Sequence, residues 1–562
     1  MQTTPDVLVV GAGPTGLTLA SELLRHGATC RIVDELTEPV TFSKAAVVHS
    51  RTMEVFDDMG VARKVLALSK LIHGFNAFAS GKRVAHVSLA GVDSPFPHPC
   101  GISQQETERI LGEHLVSLGG KVERGLRVES IAQRDDGVTA KLASGETIDA
   151  RWVVGCDGAH SVVRKQIGCT FEGSAYEERL IQADLHVDVP GLPDDEMMGF
   201  LHEDGMMALF PLFADGRFRL IVLQPPGAPE LEPTMDVFRR AVEVRGPKGM
   251  TIRDPAWMIG FRIHHRRTDR YAVGRAFLVG DAAHIHSPVG GQGMNTGIQD
   301  AYNLAWKLAL VARGASPESL LASYEAERQP VAKTLLDATD RAMHGLELAM
   351  GLRNAIAAAL RNQLISMVTS FELVQGRAGH ALSMLGVGYP DSPIVKQDRV
   401  PVWQARVVAS AASEEPSIAA WSAFGDGPAP GYRAVDAPIA GAGEKARLFD
   451  VLHGTRHVAL LFDGGAATAD GYRNFERIGA RLRARLGAWI DVHVVVPFAC
   501  KPAELRWDGS TLLDADGALH RRYGARSECV YLVRPDGYVG YRSQPADEEK
   551  LFAYLGTIFR DA

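Results

Sequence analysis

The residues with the clearest chemical potential are glycines and one acid near the start of the chain. The apolar run Asp6-Val-Leu-Val-Val10 ends directly in Gly11-Ala-Gly-Pro-Thr-Gly16, and an amphipathic stretch follows from Leu17 to His26. This order predicts a strand, a tight turn and a helix. Gly11 permits the turn, Gly13 lets a pyrophosphate approach the backbone, and Gly16 lets helix and strand pack closely; Pro14 and Thr15 in the same turn are counted with the cofactor-binding residues. Phosphates would sit at the helix N-terminus, where N–H groups without helical partners and the dipole favour anions. A second predicted strand, Cys30-Arg-Ile-Val33, closes in Asp34 and Glu35, at the distance where an acid accepts a hydrogen bond from a ribose 2′-hydroxyl. These residues specify a dinucleotide without saying which one.

The 562-residue chain that must position them exceeds the span of one hydrophobic core and implies about three domains. Apolar residues at 46% and charged residues at 23% match an ordinary globular enzyme, which rules against wholesale disorder. The net charge of −7 carries no basic stripe, so nucleic acid is not an expected partner. No run approaches a membrane span, and the expected location is the cytoplasm. Six scattered cysteines form no CxxC pair and no metal-like cluster; isolated buried thiols and no metal are expected.

Two further motifs decide the cofactor. Trp152-Val-Val-Gly-Cys-Asp-Gly-Ala-His-Ser-Val-Val-Arg164 and Gly274-Arg-Ala-Phe-Leu-Val-Gly-Asp-Ala-Ala-His284 are followed by Pro288-Val-Gly-Gly-Gln-Gly-Met-Asn-Thr-Gly297. In this order they resemble the DG and GD motifs of the class A flavoprotein aromatic hydroxylases, the family of p-hydroxybenzoate and phenol hydroxylases, over roughly the first 390 residues. The resemblance implies bound FAD, NADPH or NADH as reductant, O2 as co-substrate, and hydroxylation of a small aromatic, usually phenolic, substrate through a flavin hydroperoxide. It assigns Asp157, Gly158 and Arg164 to FAD and the nicotinamide cofactor, and Gly280 and Asp281 to the ribityl chain. Pro288, Gly291, Gly293, Met294 and Asn295 would lie beside the ring, while weaker matches nominate Arg51 and, through its spacing to Glu108, Gln104. The sequence differs at Lys44, where many relatives carry arginine, and at Ser287, where the family often has a second proline.

Physical reasoning supports the same placement. Gly290, Gly291, Gly293 and Gly297 leave backbone bare just before an apolar-periodic helix predicted from Ile298 to Val311. A flat ring can rest there on N–H groups at a helix N-terminus, which would stabilise the negative charge of a reduced flavin.

The expected fold is α/β, with a Rossmann-type FAD-binding domain in two parts (1–175 and 271–395). Between them lies a β-sheet substrate domain (176–270), and a thioredoxin-like domain without CxxC follows (396–562). Strands are predicted at Leu180–Val189, Met197–His202, Met206–Leu212 and Arg217–Leu223, with Met206, Phe210, Pro211 and His202 as candidate pocket residues. Later strand-like runs at His457–Phe462, Ile490–Val496 and Cys529–Val533 flank a helix near Tyr472–Leu486; this βαβ…β order carries the thioredoxin-like resemblance. Without CxxC, disulfide chemistry is excluded, and packing or oligomer contacts, including a homodimer, are the expected role. No base or nucleophile announces itself, so the catalytic assignment stays open. Alternatives on the same scaffold are Baeyer–Villiger oxygen insertion, a flavin dehydrogenase or reductase, and a non-enzymatic flavin protein.

Overall fold

The computed structural model describes the chain apart from residues 1–3, 43–44, 80, 203, 214–215, 225–226, 228–229, 288–289, 352–378, 401–417, 440–446 and 465–471. Two compact units emerge. The first comprises Met1–Leu24, Ala28–Ala305 and Arg328–Leu385; the second comprises Arg25–Gly27, Trp306–Glu327 and Gly386–Ala562.

A six-stranded sheet in the first unit runs in the order Ala272–Val273, Ala276–Leu278, Trp152–Gly155, Val7–Val10, Cys30–Asp34, Val122–Arg124. Its central pairs are parallel. All four residues of Val7–Val10 are buried, as a parallel strand covered on both faces requires. The helix Pro14–Arg25 follows the glycine turn as the sequence predicts.

An eight-stranded sheet in the same unit has the order His284–Ile285, Thr251–Thr268, Phe171–Asp188, Arg217–Gln224, Gly205–Pro211, Glu196–His202, Gly74–Ala79, Lys82–Ser88. The four predicted β runs all lie within it. Two contributions were not foreseen: the Gly74–Ala79/Lys82–Ser88 hairpin, and the 18-residue strand Thr251–Thr268, so the sheet extends beyond 176–270. The long strand is hidden in the sequence because most of its residues are exposed or half-buried and it ends in His264-His265-Arg266-Arg267, which offers no apolar alternation.

Side chains alternate between the two faces of this sheet. Ile181, Ala183, Met198, Phe200, Met207, Leu209, Phe218, Leu220 and Val222 form one buried core with Phe238, Ala241 and Val242 of the helix Met235–Arg245. Each fully buried Leu, Val, Met or Phe there contributes about 1.5–3 kcal/mol. On the other face, Phe210 and Met197 pack against Ala46, Val47, Ile72 and Leu212, while Met206, Ile221 and Phe261 surround Leu180, Leu223 and Ile263.

The second unit contains a six-stranded sheet ordered Lys396–Arg399, Val539–Gln544, Cys529–Val533, His457–Phe462, Ile490–Val496, Ser510–Leu513. His457–Phe462 is buried throughout and pairs parallel with Ile490–Val496 and antiparallel with Cys529–Val533. The helix Arg473–Leu486 connects the parallel pair, in agreement with the predicted order. Among the described residues no helix is long and apolar enough to cross a membrane.

Candidate active site

Backbone geometry explains each glycine of the first turn. Gly11 has φ +100°, and a Cβ there would lie 2.4 Å from the Cys156 carbonyl oxygen. A Cβ on Gly16 would meet the Gly11 carbonyl oxygen at 2.0 Å, so helix and turn touch through bare backbone. Around Gly13 the corresponding space is open, which is where a diphosphate can approach. Asp34 ends its strand and accepts from Ala12 N–H at 2.6 Å and from Leu36 N–H at 2.9 Å, so it braces the turn as well as facing it. Glu35, its neighbour, is exposed.

The DG and GD segments meet at the same place. Val279 N–H donates to Gly155 O at 3.0 Å. Asp157 accepts from Ser161 Oγ at 2.5 Å and from Val162 N–H at 2.7 Å, so its carboxylate caps the short helix Val162–Gln166; burial raises its pKa against these hydrogen bonds. Arg164 is buried, donates to Ala282 O and Ala159 O at 2.8 Å each, and lies over the Phe171 ring at 3.7 Å. Direct cofactor contact was expected of both side chains. In this structure their internal partners make both side chains the fastening of the two motifs.

The GD turn stands against the helix Gly293–Ala312, which begins five residues before the predicted Ile298. Thr15 Oγ1 lies 2.9 Å from where a Gly280 Cβ would be and 2.5 Å from where a Gly297 Cβ would be. Gly293 lies one helical turn before Gly297 on the same helix face, so a strip of glycine backbone, met by Thr15 and, 3.4 Å from where a Gly293 Cβ would be, by His286, runs from the GD turn to the helix N-terminus. Asp281 is exposed at the strip's edge. Asn295 is fully buried and ties the glycine loop down: it accepts from His49 N–H at 3.0 Å and donates to Val47 O and Gly291 O at 2.9 Å each. Met294 beside it is half-buried. His49 must donate from Nε2 to the Gly290 carbonyl at 2.8 Å, and burial lowers its pKa to about 4, which keeps it neutral.

Arg51 is buried in the helix Ser50–Asp58 and pairs with Glu54 at 2.9 Å. Gln104 opens the helix Gln104–Ser117, accepts from Ala45 N–H at 3.3 Å and donates to Glu108 at 2.7 Å. Pro288 and Lys44 lie outside the described residues. The four candidate pocket residues separate. Strand alternation puts Met206 and Phe210 on the sheet face that meets Val47, whereas His202 and Pro211 share the parity of Phe200 and Phe218 on the opposite, helix-covered face. A pocket lined by the first pair is therefore not lined by the second.

Sequence reading missed two groups. Asp300 accepts from His284 Nε2 at 2.8 Å, Gly280 N–H at 3.2 Å and Arg328 Nε at 2.5 Å. Arg328 also donates to Thr296 O at 3.2 Å, so the network joins the GD turn to the first turn of the helix. Burial raises the Asp300 pKa, but Arg328 and His284 outweigh that and leave it below its ordinary value. The second group is the buried pair Arg219–Asp184 on the sheet face of Phe210. The one available signal for it was an arginine within the apolar run Phe218–Leu223.

The open space at Gly13, at the N-terminus of the helix Pro14–Arg25, fits the diphosphate of a flavin dinucleotide, while Gly280 and Gly297 let the GD turn and the helix Gly293–Ala312 close on Thr15. Comparison with known proteins agrees. Residues 4–339 match the FAD binding domain family, and residues 427–562 match the aromatic-ring hydroxylase C-terminal family. The chain is 32% identical to 6-methylpretetramide 4-monooxygenase of Streptomyces rimosus, across 99% of this chain and 93% of the relative. It is 31% identical to pentachlorophenol 4-monooxygenase of Sphingobium chlorophenolicum, across 96% and 93%. Among solved structures, anhydrotetracycline hydroxylase OxyS from Streptomyces rimosus superposes with TM-score 0.71 at 28% identity, covering 99% of both chains. Aklavinone-11 hydroxylase, solved with FAD and aklavinone, shares the fold at TM-score 0.74 and 24% identity over both full lengths. Aromatic hydroxylation thus holds over the oxygen-insertion and dehydrogenase alternatives. The chain belongs to the FAD-dependent aromatic hydroxylases, monooxygenases that use NAD(P)H and O2.

Proposed function

We propose that this monooxygenase hydroxylates a phenolic substrate, with fused-ring phenols the first class to test, in a space between the glycine strip and the Met206/Phe210 face of the large sheet. The observation that carries the reading is the juxtaposition, within one unit, of bare glycine backbone before a helix N-terminus and the apolar Phe210/Met197 cluster of the large sheet, both against Val47. The names of the tetracycline-type relatives favour the fused-ring choice.

FAD supplies hydride acceptance from NAD(P)H and activation of O2 for transfer of one oxygen atom. The residues divide the remaining work. Gly13 and Thr15 would admit the diphosphate, Asp34 would hold the adenosine ribose, Asp281 the ribityl hydroxyls, and N–H groups of Gly293–Asn295 would stabilise negative charge on the reduced ring. Asp157, Arg164, Asn295 and Asp300 hold these pieces in register. The apolar face excludes water, which keeps reduced cofactor and oxygen from yielding peroxide alone. Arg51 and Gln104 would complete the flank of the cradle. The second unit, read as thioredoxin-like, serves packing or a homodimer, and the enzyme works in the cytoplasm.

The test is NADPH or NADH oxidation and O2 uptake by the purified, FAD-loaded enzyme against simple phenols, naphthols and hydroxyanthraquinones, with peroxide quantified. One ring class should accelerate oxidation and gain 16 mass units with little peroxide, on the order expected for one oxygen atom per turnover. Acceleration by simple phenols alone, with fused rings inert, would overturn the substrate class.

A further inference from the structure

The Phe210 face of the sheet carries Met206, Ile221 and Leu223, and it also buries three polar side chains, Gln182, Asp184 and Arg219. Arg219 is completely buried, and it pairs with Asp184 through two parallel hydrogen bonds, Nε to Oδ1 at 2.7 Å and Nη2 to Oδ2 at 2.8 Å. The guanidinium carbon also lies 4.9 Å from the Trp257 ring centre. Its third nitrogen, Nη1, is shielded from solvent and has no hydrogen-bond partner among the described residues.

Register fixes where this happens. Arg219 is directly opposite Phe210 on one neighbouring strand and opposite Asp184 on the other, and Asp184 is opposite Trp257. Arg219 therefore shares the face of Phe210, Ile221 and Met206, not the face of Phe218 and Leu220 that the helix covers. An arginine serving packing alone is a poor choice at such a place. Desolvating it is expensive, an apolar side chain would fill the volume at least as stably, and an unpaired buried N–H adds a penalty of its own. Asp184 and Trp257 remove its freedom while leaving one charged donor, a fixed fork suited to an oxygen acceptor.

We infer that Arg219 is a substrate-binding residue: held by Asp184, it donates Nη1–H to a ketone or phenolate oxygen of an aromatic ring system lying on the Phe210 face. This rests on the hydroxylase reading for the identity of the ligand, but not for the donor itself. It narrows the substrate to rings that carry such an oxygen in addition to offering a site for hydroxylation. The one competing source of the same acceptor chemistry is a carbonyl oxygen of the flavin.

The test uses the FAD-loaded full chain and three probes of similar size: 2-naphthol, 1-tetralone and 2-methylnaphthalene, with binding read from the flavin absorbance. The wild type should bind the two oxygenated rings about tenfold or more tighter than the hydrocarbon, the scale of a hydrogen bond from a charged donor. The double variant Asp184→Leu/Arg219→Met leaves no buried charge; it should bring the ratio to about twofold or less with FAD affinity unchanged. Arg219→Lys, which keeps the charge but cannot hold Asp184 and reach a ligand together, should also lower the ratio, and it serves if the double variant does not fold. A ratio unchanged in the variants, or a wild type that shows no preference or binds none of the probes, overturns the inference. A retained ratio with FAD affinity lowered tenfold assigns the donor to a flavin oxygen and also overturns it. A wild type that binds no FAD defeats the underlying reading instead.

Discussion

Two fully buried arginines, one in each unit, show how differently the same side chain is used. In the second unit, Arg534 donates from all three nitrogens: Nη1 to Glu327 at 2.6 Å, Nη2 to Glu327 at 3.0 Å and to Asp536, and Nε to Asp536 at 3.0 Å. Lys307, Ser392 and Trp306 complete that network at 2.7, 2.6 and 3.1 Å. In the first unit, Arg219 gives two nitrogens to one carboxylate and leaves the third without a partner among the described residues. Saturation marks an arginine that belongs to the architecture. Incomplete saturation of a fully buried guanidinium, as at Arg219, marks one with a ligand to meet.

Removing a partner separates the two most sharply. Arg534→Met strands Glu327 and Asp536 beside Lys307 and should destabilise the second unit by about 3–5 kcal/mol, seen as a large fall in Tm. Asp184→Leu/Arg219→Met should cost far less, since a buried pair replaced as a pair is often nearly neutral. Equal losses would erase the contrast.

Asp300 is the saturated counterpart inside the first unit. Asp300→Asn places an amide N–H among three donors, and should weaken FAD binding about tenfold or more, read by flavin fluorescence, as expected when a hydrogen-bonded buried charge is disturbed. Unchanged affinity would show that the GD turn needs no such brace.

Acid tests the neutral imidazole under the glycine loop. His49 has a folded pKa of about 4 against an ordinary 6.5, so folding excludes a proton that the unfolded chain binds. Stability is full above pH 6.5 and falls as pH drops towards about 4, by about 3 kcal/mol from this group. His286 is lowered to about 4 and His457 to about 3 by burial, and both act in the same direction. Urea unfolding at pH 7, 5.5 and 4.5 should give a shallower pH slope for His49→Gln. The smallest expected effect lies at the adenosine end: Asp34→Asn should weaken FAD several-fold, whereas Glu35→Gln, exposed beside it, should leave affinity within about twofold.

What was legible in the sequence follows the range of the forces involved. Gly11, Gly13 and Gly16 were legible because local sterics dictate them, and the four alternating strands because period two is local too. Asp300 and Arg328 were not, because their partnership spans 28 residues and needs the helix and GD turn in place first. Local patterning likewise could not show which face Phe210 and His202 would occupy, since a strand's parity acquires meaning only from what covers it. Asp157 and Arg164 were legible as a motif, but their hydrogen bonds to the chain itself were not.

The central claim is that this cradle directs O2 onto an aromatic ring. The direct measurement is turnover under 18O2 of the ring compound that best stimulates NAD(P)H oxidation, with product mass and peroxide determined together. The account predicts a hydroxylated ring carrying one labelled oxygen, formed in step with reductant consumed. A product labelled from water, or reductant converted wholly to peroxide by every ring tested, would contradict it.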